Sequence, residues 1–225
     1  MVAFFAQLIY YCTMSIKRIL QTAPIIPIIT VHDLDHVIPL VKAITAGGIN
    51  TLEVTLRTPL ALDAVAQMEL EFPNAVIGVG TVTNVEHIED IQSLGVSFIV
   101  SPGINATLIE AAKKAGIPYL PAVATPSDIL IAREHYLTEL KFFPAEQAGG
   151  IKMLKQYANV FPDIHFCATG GIDAKNLAEY LSLPNVLSVG GSWLAPQALI
   201  TAGEWEKITA LTQEAVALAA GIKNS

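Results

Sequence analysis

The sequence predicts a single-domain α/β fold, a closed (β/α)8 TIM barrel, and three observations carry that expectation. Short β-rich runs alternate with helical stretches from residue 25 onward. Eight such runs occur, their first residues about 21 to 26 positions apart, which is the length of a strand, a helix and two short loops. Most of the runs are almost continuously apolar, as parallel strands covered on both faces must be. An open doubly wound sheet is the rival, but no run is followed by the GxGxxG turn that would mark it.

The chain begins with an uncharged apolar segment, Met1 to Thr13, followed by Met14-Ser15-Ile16-Lys17-Arg18. A secretory signal carries its positive charge before the apolar stretch and a small-residue cleavage site after it, and here the order is reversed. Two readings stand. Either Met14 is the natural start and residues 1–13 form a leader outside the native fold, or the leader is an extra helix on the outside of the domain. The barrel then occupies residues 14–225.

Its expected strands are Ile25–Thr30, Thr51–Arg57, Ala75–Val82, Phe98–Pro102, Tyr119–Ala124, Leu140–Pro144, His165–Thr169 and Leu187–Gly190. The helices between them carry their own punctuation. Thr58-Pro59 and Thr125-Pro126 place an N-cap before a proline at the first helical position. Thr83 and Glu86 have capping-box spacing. Gly47, Gly95 and Gly116 fall where left-handed C-terminal caps belong. Gly149-Gly150 opens the sixth helix, and the amphipathic stretch Trp205 to Ala219 closes the barrel from outside.

Composition narrows the function classes. With 225 residues, 52% of them hydrophobic and 15% charged, the chain can bury a large core and is not intrinsically disordered. A formal net charge of −7 argues against a nucleic-acid partner, which would select clustered Lys and Arg. No apolar run reaches the roughly 18 residues of a membrane-spanning helix. Two cysteines, Cys12 and Cys167, make neither a disulfide framework nor a zinc pair, so a reducing cytoplasmic setting is expected. His32 and His36 stand four apart without a third ligand, so surface positions are expected there rather than a metal site.

Charges inside a barrel are the informative ones. Of thirteen Lys and Arg, only Arg57 and Lys141 fall within expected strands. In Thr51 to Arg57, Leu52, Val54 and Leu56 share one face, and Thr51, Glu53, Thr55 and Arg57 share the other. The apolar face must meet the helices, which turns Glu53 and Arg57 inward, either as a structural ion pair or as functional groups. Strand six sets Lys141 and Phe143 on one face. Desolvation disfavours a charged amine among such neighbours, and a neutral lysine can form a Schiff base with a carbonyl. The alternative is an ammonium that simply pairs with Glu53. Glu146, just past the strand, is a second carboxylate, expected on the rim.

The last two strands end in Thr169-Gly170-Gly171-Ile172-Asp173 and Gly190-Gly191-Ser192-Trp193. Glycine-rich turns let backbone N–H groups approach an anion, and the loops after strands seven and eight are the usual phosphate site of this architecture.

Six segments in order, Leu52 to Thr58, Gly78 to Val82, Ser101-Pro102-Gly103, Lys141 to Glu146, Thr169 to Ile172 and Gly190 to Trp193, closely resemble the 2-keto-3-deoxy-6-phosphogluconate (KDPG) aldolase family. The resemblance runs from about Ile16 to Ala219. It implies a class I aldolase that reversibly cleaves KDPG to pyruvate and glyceraldehyde 3-phosphate, or acts likewise on 4-hydroxy-2-oxoglutarate or the 6-phosphogalactonate epimer. It assigns Lys141 to the Schiff base and Glu53 to general acid–base work. Arg57 and Thr81 would bind the pyruvate carboxylate, Phe143 would line the pocket, and Pro102 would belong to the loop beside the nucleophile. Thr169, Gly170, Gly171, Gly191 and Ser192 would hold the phosphate. The family needs no metal or other cofactor and is typically a homotrimer.

Overall fold

Parallel strands covered on both faces need apolar side chains in both directions, and these strands supply them. The computed structural model describes residues 15–223, so the expectations for the leader 1–13 lie outside the described residues. Nine bridged segments run in parallel: β1 (Ile25–Ile29), β2 (Thr51–Thr55), β3 (Val76–Gly80), β4 (Phe98–Val100), β5 (Tyr119–Leu120), β6 (Ala122–Val123), β7 (Glu139–Phe142), β8 (His165–Thr169) and β9 (Val186–Gly191). Their order is β5-β4-β3-β2-β1-β9-β8-β7-β6. The two ends of that order, β5 and β6, are consecutive in the chain and separated only by Pro121, so the sheet closes into a barrel of eight staves. The expected strand Tyr119–Ala124 is therefore split. Pro121 has no N–H to donate, but its carbonyl accepts from Lys141 N–H at 2.8 Å and ties the broken stave to β7.

Inward and outward side chains alternate along each stave. Leu52, Val54, Ile77, Val79, Leu140 and Phe142 face out and join the main core against the helices. Ile26, Phe98, Val100, Leu120 and Cys167 face in and form a second cluster with helix α1 (Ile16–Thr22), through Ile16, Ile19 and Leu20. Helix α1 thus plugs the barrel where the strands begin. The polar inward residues lie nearer the strands' other ends, which α1 does not cover.

Around the barrel follow α2 (Val37–Ala46), α3 (Ala61–Glu71), α4 (Val85–Gln92), α5 (Ala106–Ala115), α6 (Pro126–Glu134), α7 (Gly150–Val160), α8 (Leu177–Leu181), α9 (Gln197–Thr201) and α10 (Trp205–Lys223). Thr125 and Asp128 complete the capping box of α6, with Asp128 Oδ2 accepting from Thr125 N–H at 2.9 Å. Gly95 and Gly116 are left-handed, at φ 77° and 71°.

Four local expectations are corrected. Thr58 does not cap α3; its hydroxyl donates to Val31 O at 2.6 Å, and the helix starts only at Ala61. The cap of α4 is Asn84, whose Oδ1 accepts from His87 N–H at 2.9 Å, one residue beyond the expected Thr83. Gly47 is right-handed, and Gly48 makes the turn at φ 98°; Gly47 is instead needed for close approach, because a side chain there would collide with Thr212 of α10. Strand β2 stops at Thr55, so Arg57 stands in the loop beyond it.

Candidate active site

Glu53 on β2 and Lys141 on β7 meet inside the barrel. Lys141 Nζ donates to Glu53 Oε1 at 3.2 Å and Oε2 at 3.4 Å, and the two side chains are only 8% and 5% exposed. The sequence makes room for this: a Cβ on Gly80 of the neighbouring β3 would run into the Glu53 carboxylate. The Phe143 ring centroid lies 5.5 Å from Lys141 Nζ, near enough for its π face to interact with an ammonium. Cys167 is the β8 partner of Lys141. Burial pushes its thiol up to about 11, only partly opposed by the nearby Lys141, so this sulfur stays protonated and is no rival nucleophile.

A cavity of about 190 Å³ opens above this pair. The structure brings all the expected residues to its wall. Arg57, Thr81, Pro102 and Phe143 surround the Lys141–Glu53 pair, while Thr169, Gly170, Gly171, Gly191 and Ser192 close another side. Arg57 is exposed and forms no salt bridge among the described residues, so its guanidinium is available to an anionic ligand. The ion pair considered between Glu53 and Arg57 is thus not formed; Glu53 is taken by Lys141. Thr81 sits at φ 64°, which a β-branched residue rarely adopts and which costs about 1–3 kcal/mol.

Sequence reasoning missed Ile28 and Thr30 on the same wall, and had Ile172 and Gly190 only as members of the two glycine turns. Strand phase could have found the first two, since Ile26 and Ile28 point inward along β1 and Thr30, just past its end, continues the alternation. Thr30 and Thr55 share a hydrogen bond of 2.9 Å that joins the ends of β1 and β2.

The glycine turn after β8 is held from behind. Gly170 and Gly171 adopt φ 107° and 76°. Gly170 O accepts from Glu146 N–H at 3.1 Å, and Gly171 O accepts from Asn176 Nδ2 at 3.0 Å. With the carbonyls occupied, the N–H groups of Gly171 and Ser192 donate to no acceptor among the described residues. Such groups suit an anion. Glu146 itself is exposed and does not line the cavity, as expected of a rim residue. His36 packs edge-on against Trp205 at 5.5 Å, and among the described residues no three His, Cys, Asp or Glu gather as a metal site. The cavity therefore offers an amine, a carboxylate within proton-transfer reach of it, a guanidinium and a neutral anion cradle.

Comparison with known proteins agrees in sequence and in structure. The family model for KDPG and KHG aldolase matches residues 16–211. A 2-dehydro-3-deoxy-phosphogluconate aldolase of Pseudoalteromonas atlantica is 46% identical over 208 residues, covering 92% of this chain and 97% of its own. The KHG/KDPG aldolase of Escherichia coli K12 is 43% identical, covering 90% and 95%. Among solved structures, KDPG aldolase from Legionella pneumophila, with pyruvate captured as a covalent carbinolamine, superposes with a TM-score of 0.85 at 43% identity, covering 87% of this chain and 95% of that one. The Zymomonas mobilis enzyme with 3-phosphoglycerate gives 0.83 at 42% identity, covering 88% and 93%.

Proposed function

This chain belongs to the KDPG and KHG aldolase family, and from that premise we propose that Lys141 is its Schiff-base nucleophile and Glu53 its proton-transfer group. The protein is a carbon–carbon lyase, a class I aldolase that reversibly cleaves 2-dehydro-3-deoxy-6-phosphogluconate to pyruvate and glyceraldehyde 3-phosphate. The observation that carries the residue assignment is the buried Lys141–Glu53 contact at 3.2 Å, at the wall of a cavity with Arg57 on one side and the glycine turns on another.

Each step then has a group to perform it. Glu53 takes a proton from Lys141 Nζ, and the free amine adds to the C2 ketone to give a carbinolamine. Glu53 returns that proton to the carbinolamine hydroxyl, which leaves as water, and the resulting iminium can accept an electron pair. Glu53, directly or through one water, removes the C4 hydroxyl proton; the C3–C4 bond breaks, its electrons flow into the iminium, and glyceraldehyde 3-phosphate departs. The enamine takes the proton back from Glu53 at C3, and hydrolysis of the iminium returns pyruvate and free Lys141. Arg57 and Thr81 hold the substrate carboxylate, and a bidentate guanidinium fixes the ketone for attack. Thr169, Gly170, Gly171, Gly191 and Ser192 hold the phosphate, whose binding energy serves alignment at the reacting carbons. Phe143 and Pro102 shape the wall between them.

A second substrate, 4-hydroxy-2-oxoglutarate, is favoured by the KHG/KDPG names of the Escherichia coli and Shigella flexneri relatives at 43% identity. Its distal carboxylate would take the place of the phosphate. We assign the protein to the cytoplasm, on its sparse cysteines, and to a homotrimer, which light scattering on the purified protein tests directly. Pyruvate release from KDPG, followed through coupled reduction to lactate, should be robust in the parent and absent in Lys141→Ala. Substantial turnover by that variant would overturn the covalent mechanism.

A further inference from the structure

Glu146 and the Gly149-Gly150 pair, neither of which the reaction uses, meet at one point of the fold. Tyr180 of α8 is fully buried, and its hydroxyl donates to Glu146 Oε1. Gly150 leaves room for that contact: a Cβ there would lie 3.1 Å from Tyr180 Oη and 3.2 Å from Glu146 Oε1. On the other side, Glu146 N–H donates to Gly170 O at 3.1 Å, and Ala145 N–H donates to Thr169 O at 2.7 Å. The Glu146 side chain also lies across Gly171, where an added Cβ would stand 2.6 Å from Glu146 Cγ. Neither Glu146 nor Tyr180 lines the cavity. An acidic side chain therefore braces the glycine turn from behind, with its charge held by a phenol from helix α8.

We propose that Tyr180 and Glu146 are positioning residues for the phosphate end of the site: the phenol holds the carboxylate outside the cavity while the Glu146 side chain fixes the Gly170-Gly171 turn. This rests on the assignment of that turn to the substrate phosphate. A carboxylate released beside the turn would repel a phosphate dianion, so the Tyr180 hydroxyl contributes to substrate affinity without touching substrate. Burial, reinforced by the neighbouring Glu146, pushes the Tyr180 phenol upward, which keeps its proton in place as a donor.

The test uses the condensation direction, with pyruvate and either D-glyceraldehyde 3-phosphate or D-glyceraldehyde as acceptor. In the parent the phosphorylated acceptor should have the lower KM. Tyr180→Phe should raise that KM roughly 3- to 10-fold, the usual net effect of one lost hydrogen bond. Its kcat and its KM for glyceraldehyde should stay within about twofold of the parent, because neither depends on the phosphate turn. Adding Glu146→Gln to Tyr180→Phe should restore most of the affinity, since a neutral amide does not repel the phosphate. If Tyr180→Phe fails to fold, Glu146→Asp, too short to reach the phenol, must give the same KM pattern. Equal effects on both acceptors, a fall in kcat alone, an unchanged KM, or a double variant no better than Tyr180→Phe would each overturn the proposal. A parent that does not distinguish the two acceptors would remove the phosphate assignment itself, and the positioning role with it.

Discussion

Lys141 and Glu53 are buried against each other, and each makes the other's charge tolerable. Glu53→Gln should lower kcat about 10²- to 10⁴-fold, the usual contribution of a general acid–base. Glu146→Gln should leave kcat within about twofold, because Glu146 lies outside the cavity; steady-state kinetics compares them, and a larger kcat loss at Glu146 would reverse the assignment. Away from the site, Glu69 on α3 has a buried Oε1 with no hydrogen-bond partner among the described residues. Burial raises its carboxyl from the ordinary 4.5 to about 7. The folded state thus holds the proton more tightly than the unfolded one. Its contribution to stability is full below about pH 4.5 and is lost as pH rises through about 7. Glu69→Gln should therefore gain about 1 kcal/mol on the parent between pH 5 and pH 8, the screening of a partly exposed group included. Thermal melts at the two pH values measure it; an unchanged difference would show that the carboxyl titrates normally.

At the scale of elements, α1 and the glycines of β3 separate stability from function. Leu20 of α1 is wholly buried in the plug at the barrel's far end. Leu20→Ala should cost about 2–5 kcal/mol in urea unfolding yet leave KM unchanged. Gly80→Ala should instead lower kcat, since its methyl would displace the Glu53 carboxylate from Lys141. Strand phase was readable because a slip of one residue would turn a whole apolar face inward, and the same phase set Glu53 and Lys141 inside. Helix starts were less readable. Thr58, Thr83 and Asn84 all carry side-chain oxygens able to cap; a tertiary partner takes Thr58, which bonds Val31, while at α4 it is Asn84 Oδ1 that accepts the His87 N–H. Arg57 was expected in the strand, yet β2 ends two residues earlier and its loop carries the guanidinium to the cavity.

Across the whole molecule, function follows from closure. Eight staves bring residues 88 positions apart, Glu53 and Lys141, within 3.2 Å. The strand count and inward parity were legible because repetition announces a barrel, and ordered motifs announced the family. What stayed hidden depends on contacts between distant segments: the Thr30–Thr55 bond and the Tyr180–Glu146 contact behind the glycine turn. No periodicity or local spacing encodes those. The central claim, that Lys141 carries the substrate covalently, is tested most directly by incubating the protein with pyruvate and sodium borohydride and mapping the product by peptide mass spectrometry. An irreversible pyruvate-derived adduct on Lys141, absent without borohydride, is the predicted result. Pyruvate binding without any adduct, or an adduct confined to another lysine, would contradict it.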